Sequence, residues 1–164
     1  MKKILFALLL MLPMSVMAQK FGHYNSQDII PTMPEYTAGQ AELEKLAKTM
    51  EEDMKRMQDE IQTKYQDYEK QRDALPENIR TRRETELQQL QERFQQAYQD
   101  NQQEMQKKQQ ELVQSIQQKL SVALKKIGDA QGFVYIMDAA SGIPYISSTL
   151  STDITPDIKK ELGL

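Results

Sequence analysis

The sequence predicts a mainly α-helical protein, in which a long antiparallel helical hairpin is attached to a small body of short β-strands. Three observations carry this. From Thr37 to Gln131 the chain is rich in Glu, Gln, Lys, Arg, Leu and Met, and Pro76 is its one proline. Such side chains lose little entropy in a helix. Within that stretch the apolar residues recur at steps of three and four. The flanking segments 19–36 and 132–164 change character, with prolines in the first and strand-like residues in the second.

Residues 1–18 read as a secretory signal peptide. Lys2 and Lys3 form a positive start, Ile4 to Leu12 an unbroken apolar run, and Pro13 ends it. The run is too short for a stable transmembrane helix. Val16-Met17-Ala18 offers a cleavage point after Ala18. An uncleaved anchor is the lesser reading.

Cleavage leaves about 146 of the 164 residues, a length suited to one domain. There is no cysteine, so disulfides and thiolate metal sites are excluded. Formal charge is −3, and −5 once Lys2 and Lys3 are removed. An acidic exported chain is a poor partner for nucleic acid, because phosphate binding needs a basic surface.

The first helix carries Ala47, Met50, Met54, Met57, Ile61 and Tyr68 at coiled-coil spacing, extended backwards by Leu43 and Leu46. Lys64 takes the next seam position, and Tyr65 beside it is expected to cover the gap. Leu75-Pro76 interrupts the pattern, since proline removes a donor and restricts the residue before it. The first helix should therefore end near Ala74, with the hairpin tip at residues 73–77. Pro76 and Glu77 suit the opening of a second helix.

That second helix is expected to run from Glu77 to about Ala130, roughly 80 Å long against roughly 55 Å for the first. Its stripe is Leu87, Leu90, Phe94, Tyr98, Met105, Leu112, Ile116, Leu120, Leu124 and Ile127. Late steps through 105, 109, 112, 116, 120, 123 and 127 drift from the heptad, which favours a nearly straight or slightly right-handed pairing near the base. Gln109 weakens the stripe. From Asn78 to Gln110 apolar residues are few, so the distal hairpin should pack modestly and flex.

The two ends of the chain read as one β-body. Phe133 to Met137 is a continuous apolar run, as expected for a strand buried on both faces. A turn at Ala139 to Gly142 leads to a second strand, Ile143 to Ser147, with Pro144 near its start. Phe21 to Tyr24 supplies a third. So small a sheet buries too little to stand alone and needs a helix, a partner subunit, or both. Thr155-Pro156-Asp157 reads as an N-cap and first turn for a terminal helix, Pro156 to Leu162.

Catalytic chemistry is not visible in the sequence. His23 is the single histidine, and it has neither a cysteine nor a second imidazole to work with. No Gly-rich phosphate loop exists. Glu42, Glu44, Glu51, Glu52 and Asp53 read as a solvated charged face. The chain is thus read as a non-enzyme without cofactor or metal. Arg72, Arg80, Arg82 and Arg83 cluster around the tip. They read as a solvated face, because Glu69, Asp73, Glu77 and Glu84 lie among them, or else as a contact for an anionic surface. Met50, Met54 and Met57 read first as hairpin core, and second as a soft surface for varied apolar partners.

The order of strand, long helical hairpin, apolar strands and terminal helix resembles the Skp/OmpH family of periplasmic chaperones. The resemblance rests on Lys20-Phe21-Gly22-His23-Tyr24, Ile29-Ile30 with Pro34-Glu35-Tyr36, the strand from Gly132 to Asp138, and Asp153-Ile154-Thr155 before the last helix. It implies a periplasmic homotrimer whose strands form a central body and whose hairpins surround a cavity. It further implies that unfolded outer-membrane proteins are held there without ATP. On this resemblance the body's contact residues are Phe21, Tyr24, Phe133, Tyr135, Met137 and Tyr145. The client-facing residues are Met50, Met54, Met57, Tyr65, Tyr68, Phe94, Tyr98 and Met105. An anionic membrane surface is the tip's further candidate partner. The chain departs from the basic members of that family in its pI of about 5.3. The alternative reading is a coiled-coil spacer or adaptor of the cell envelope.

Overall fold

The computed structural model describes residues 19–143 and 145–164. The signal-peptide segment 1–18 and Pro144 lie outside the described residues. In chain order the elements are β1 (Lys20–Tyr24), α1 (Ser26–Ile29), a 3-10 turn (Ile30–Thr32), α2 (Pro34–Gln71), a 3-10 turn (Arg72–Ala74), α3 (Glu77–Gln131), β2 (Phe133–Asp138), β3 (Ser151–Asp153) and α4 (Thr155–Leu162). The chain divides into two compact units. One contains residues up to Gln27 and Ala123–Gly163, and the other Asp28–Val122.

In the second unit, α2 and the larger part of α3 run antiparallel. Their cross-links establish the register. Glu35 pairs with Lys119, Glu42 with Lys108 at 3.9 Å, Lys64 with Glu86, and the Tyr68 hydroxyl donates to Glu84. As the α2 number rises, the α3 number falls by nearly the same amount, and the two converge on Leu75-Pro76. Leu75 is extended (φ −81°, ψ 139°), as a residue before proline must be. The Pro76 carbonyl then accepts from Ile79 and Arg80 to start α3. These ion pairs lie at the surface, where water screens them, so they serve pairing more than stability.

The seam differs in detail from the heptad expectation. Its half-buried positions on α2 are Leu43, Leu46, Met50, Met54, Met57, Ile61 and Lys64, ending at buried Tyr68. Ala47 is exposed. Tyr65 is 54% exposed and does not cover the Lys64 position; Lys64 fills it and turns its ammonium to Glu86. On α3, Ala97 and Asn101 take the place expected for Tyr98, which is 54% exposed. Lys108, not Gln109, occupies the weak point.

The face that α2 presents is set where Gly39 meets Leu112. A Cβ at Gly39 would fall 2.4 Å from Leu112 Cδ1, so the leucine sits where a side chain would be. The buried residues of this unit are Ile29, Met33, Tyr68, Leu90, Ile116 and Leu120. Between Pro34 and Ser115 only Tyr68 and Leu90 are buried. The distal hairpin is therefore sparsely packed, as its composition predicts.

The first unit is built on a three-stranded sheet of order β2-β1-β3, with both pairings parallel. Of the predicted strand at residues 143–147, the described residues Ile143 and Tyr145 to Ser147 are not in a strand. The third strand is instead Ser151–Asp153, whose polar side chains carry little strand signal and which pairs by tertiary placement. The expectation that Phe133–Met137 is buried on both faces also fails: Val134, Tyr135 and Met137 are 49%, 61% and 51% exposed. An edge position and one uncovered face explain this. The 139–142 turn forms as a 3-10 turn, Ala139–Ser141.

One face of the sheet is covered. Gly22 and Tyr24 are buried on it, with the Phe133 ring 3.2 Å from a Gly22 Cβ position. The end of α3 lies against Ile136, whose Cδ1 is 3.4 Å from the Gly128 Cβ position. Ala123, Ile127, Ile154 and Ile158 complete this core. Lys126–Glu161 at 2.6 Å and Gln131–Asp157 at 3.0 Å tie α3 to α4. Gly132 (φ 71°) makes the left-handed step from α3 into β2. Thr155 is not the side-chain cap expected. The Asp153 carboxylate accepts from its N–H, and the Thr155 hydroxyl accepts from Asn25 N–H.

Two predictions follow from this packing. Gly39→Val should force the helices apart against Leu112 and lower the thermal midpoint, whereas Gly39→Val/Leu112→Ala should recover part of the loss. Asp138 accepts from the Ser26 and Ala140 N–H groups at 3.1 and 3.0 Å. Burial alone would raise its carboxyl pKa, but these bonds outweigh it and hold it below the ordinary 3.8. A carboxyl held low stabilises the fold fully above its unfolded-state pKa, and that stabilisation is lost as pH falls through the folded value. Asp138→Ala should therefore cost about 1 kcal/mol at neutral pH and flatten the stability profile below about pH 4. Urea unfolding as a function of pH measures both.

Candidate functional site

Two surfaces remain after the fold's own packing: the open face of the sheet and the flanks of the hairpin. The parallel register places Phe21 beside Tyr135 and Ser151, and His23 beside Met137 and Asp153. These residues share the face opposite Gly22 and Tyr24, because side chains alternate along a strand. Phe21 and Tyr135 stack with centroids 6.3 Å apart and planes 3° apart. Ile143, Tyr145, Ile146 and Leu150 lie alongside and enclose an apolar pocket of about 240 Å³. Tyr145 and Leu150 are 78% and 77% exposed.

Of the sequence-predicted body residues, Phe21, Tyr135, Met137 and Tyr145 come together on this face. Phe133 and Tyr24 do not. Phe133 packs under Gly22 and carries the Lys20 ammonium 4.3 Å from its ring centre. Tyr24 is buried in the chain's own core, where burial, and then Asp138, raise its hydroxyl pKa. A register irregularity between Lys20 and Phe21 puts Phe133 on the covered face and Tyr135 on the open one. A run of consecutive apolar residues cannot reveal that shift.

His23 lies on the open face. Its Nδ1 is 2.8 Å from Ser151 Oγ, an arrangement that anchors β3 to β1. The Asp153 carboxyl nearby is raised by burial but lowered more by Thr155 and by His23, and stays ionised. Among the described residues no group of His, Asp and Glu is arranged to hold a metal ion. No helix among them is long and apolar enough to cross a membrane.

On the hairpin, Met50, Met54, Met57, Phe94 and Met105 are half-buried in the seam. Tyr65 and Tyr98 project from it, while Tyr68 is buried and its hydroxyl donates to Glu84. That bond is the first reason the Tyr68 pKa is raised. At the tip, Arg80 pairs with Glu77, and the Glu86 carboxyl pKa is lowered first by its bond to Lys64 and then, more weakly, by Arg83 and Arg82. The tip arginines thus lie in a field of mixed sign.

A short parallel sheet whose first strand is central, and whose first connection is a long helical hairpin, defines a hairpin-and-body class of protein. The chain belongs to the OmpH-like family of outer membrane proteins: the family model matches residues 20–162. No curated protein matches the sequence. Among solved structures, it is similar to an OmpH-like protein of Caulobacter crescentus CB15, provisionally designated an outer membrane chaperone. The TM-score is 0.74 at 14% identity, over 88% of this chain and 83% of that one. At that identity the likeness concerns the fold.

Proposed function

We propose that this chain is a chaperone of the periplasm that binds unfolded outer-membrane proteins and prevents their aggregation without ATP. It does so as a homotrimer, with clients held between the hairpins of three copies. The observation that carries this reading is the economy of hairpin packing. Between Pro34 and Ser115 only Tyr68 and Leu90 are buried, while aromatic and thioether side chains stay partly exposed along both helices. Apolar groups not consumed by their own fold are available to a client, and many weak contacts sum to strong retention. Methionine adapts its shape to varied partners. A holder that binds the unfolded client and not the folded one lets folding drive release.

Family membership and the provisional designation of the Caulobacter structure support the same reading. The open sheet face supports self-association. Phe21, Tyr135, Met137, Tyr145 and Leu150 form a contiguous apolar surface, the kind that marks an interaction site. The expected signal peptide supports export.

The second reading is an envelope spacer. It is favoured by the ladder of ion pairs Glu35–Lys119, Glu42–Lys108 and Lys64–Glu86, which would suit a stiff rod. Solution scattering separates the two, since splayed hairpins fit a holder and a straight paired rod fits a spacer.

Residues 19–164, mixed with a denatured porin at one trimer per client, should suppress the light scattering that accompanies dilution from urea. Unchanged aggregation would sink the chaperone reading. Tyr135→Asp together with Met137→Glu should convert the trimer to monomer in native mass spectrometry, with circular dichroism retained. A trimer unaffected by both charges would place the assembly surface elsewhere.

A further inference from the structure

We propose that the groove formed by Gln58, Ile61, Gln62 and Tyr65 of α2 with Gln91 and Phe94 of α3 is a discrete docking site for an uncharged, extended stretch of polypeptide bearing aliphatic or aromatic side chains. The proposal rests on the chaperone reading and locates within it one place where a client segment is gripped.

Three features of the groove point to that occupant. The first is its charge. About 27% of the chain is Asp, Glu, Lys or Arg, yet none of the six residues lining the groove is ionisable at neutral pH. The Lys64 ammonium, which neighbours the site in sequence, is drawn away to Glu86. A charged segment entering the groove would lose water and find no counter-charge, whereas a neutral one meets no such penalty.

The second feature is its floor. Ile61 and Phe94 are half-buried seam residues and Tyr65 is 54% exposed, so the helices do not close over their own apolar surface here. The opening amounts to about 460 Å³, room for a few side chains.

The third feature is its rim. Among the described residues, the side-chain amides of Gln58, Gln62 and Gln91 have no hydrogen-bond partner. In contrast, Gln88 and Gln96 spend theirs on Glu92 and Asp100 one helical turn away. Each free amide offers a carbonyl acceptor and two N–H donors, the same complement as a peptide unit. A rim of amides above an apolar floor can satisfy an extended backbone while its side chains enter the groove. A strand of an unfolded β-barrel, which alternates apolar and polar residues, has this chemistry.

The test uses residues 19–164 and two fluorescent probe peptides. One alternates Tyr or Leu with Ser or Thr, and the other has Asp and Lys in place of the Ser and Thr. Gln62→Glu/Gln91→Glu puts two charges on the rim at exposed helix positions. Gln88→Glu/Gln96→Glu adds the same charge to α3 outside the groove.

The wild type should bind the neutral probe more tightly than the charged one by anisotropy. The rim variant should lose about tenfold in affinity for the neutral probe, and the control variant should stay within about twofold of wild type. No binding of the neutral probe, equal affinity for both probes, or equal losses in both variants would overturn the assignment. So would a self-association by ultracentrifugation that the rim variant alone abolishes, since the groove would then belong to a second copy. Porin aggregation is measured in parallel. If the wild type suppresses it while the peptide result fails, the groove is wrong and the chaperone reading stands. If the wild type suppresses nothing, the chaperone reading itself is wrong.

Discussion

The parallel pairing of β1 with β2 is the constraint on which the rest depends. Antiparallel strands can be joined by two residues, but parallel neighbours require a crossover. Here that crossover is the whole helical hairpin, from α1 to the end of α3. β1 contributes the central strand, pairing with β2 along Lys20–Tyr24 and with β3 along Phe21–His23, each partner lying more than a hundred residues further along the chain. Asp138 extends this tie by accepting from the start of α1.

A parallel sheet is ordinarily covered on both faces. This one is covered on one face only, by the end of α3 and by α4. The other face carries stacked Phe21 and Tyr135 with Met137 and Tyr145. In an otherwise strongly polar chain, that imbalance is the best physical argument for association through the body. The hairpin shows the converse economy. Its seam contains Lys64, Asn101 and Lys108, so burial is interrupted along its length and its helices are matched as much by ion pairs as by core. The proposed chaperone role would draw on such restraint, because side chains left out of the core remain free to meet a partner.

Much of the hairpin could be read locally. Leu75-Pro76 marks the tip because a proline cannot continue the ladder and its predecessor must extend, as Leu75 does. The seam could be read only to within one residue. Ala47, Tyr98 and Gln109 looked eligible by spacing, but the buried face is selected by where Gly39 admits Leu112, a contact between residues on different helices. The candidate sites divide in the same way. Phe21, Tyr135 and Met137 were legible as apolar strand residues, whereas the assignment of Phe133 and Tyr24 to the covered side depends on a register shift that no run of apolar letters encodes. The neutral groove was legible in part, since Tyr65 and Phe94 were visible. Its glutamine rim was not, because an unspent amide is recognised only once neighbouring partners are known to be absent.

The sequence by itself determined the helices, their break and the strand character of both ends, because these follow from propensity, proline chemistry and periodicity within a few turns. Only the tertiary structure decided that the sheet is parallel, that Ser151–Asp153 rather than residues 143–147 completes it, and that one face stays open. Those outcomes depend on pairing between distant segments, whose energy lies in contacts that no local stretch of sequence contains.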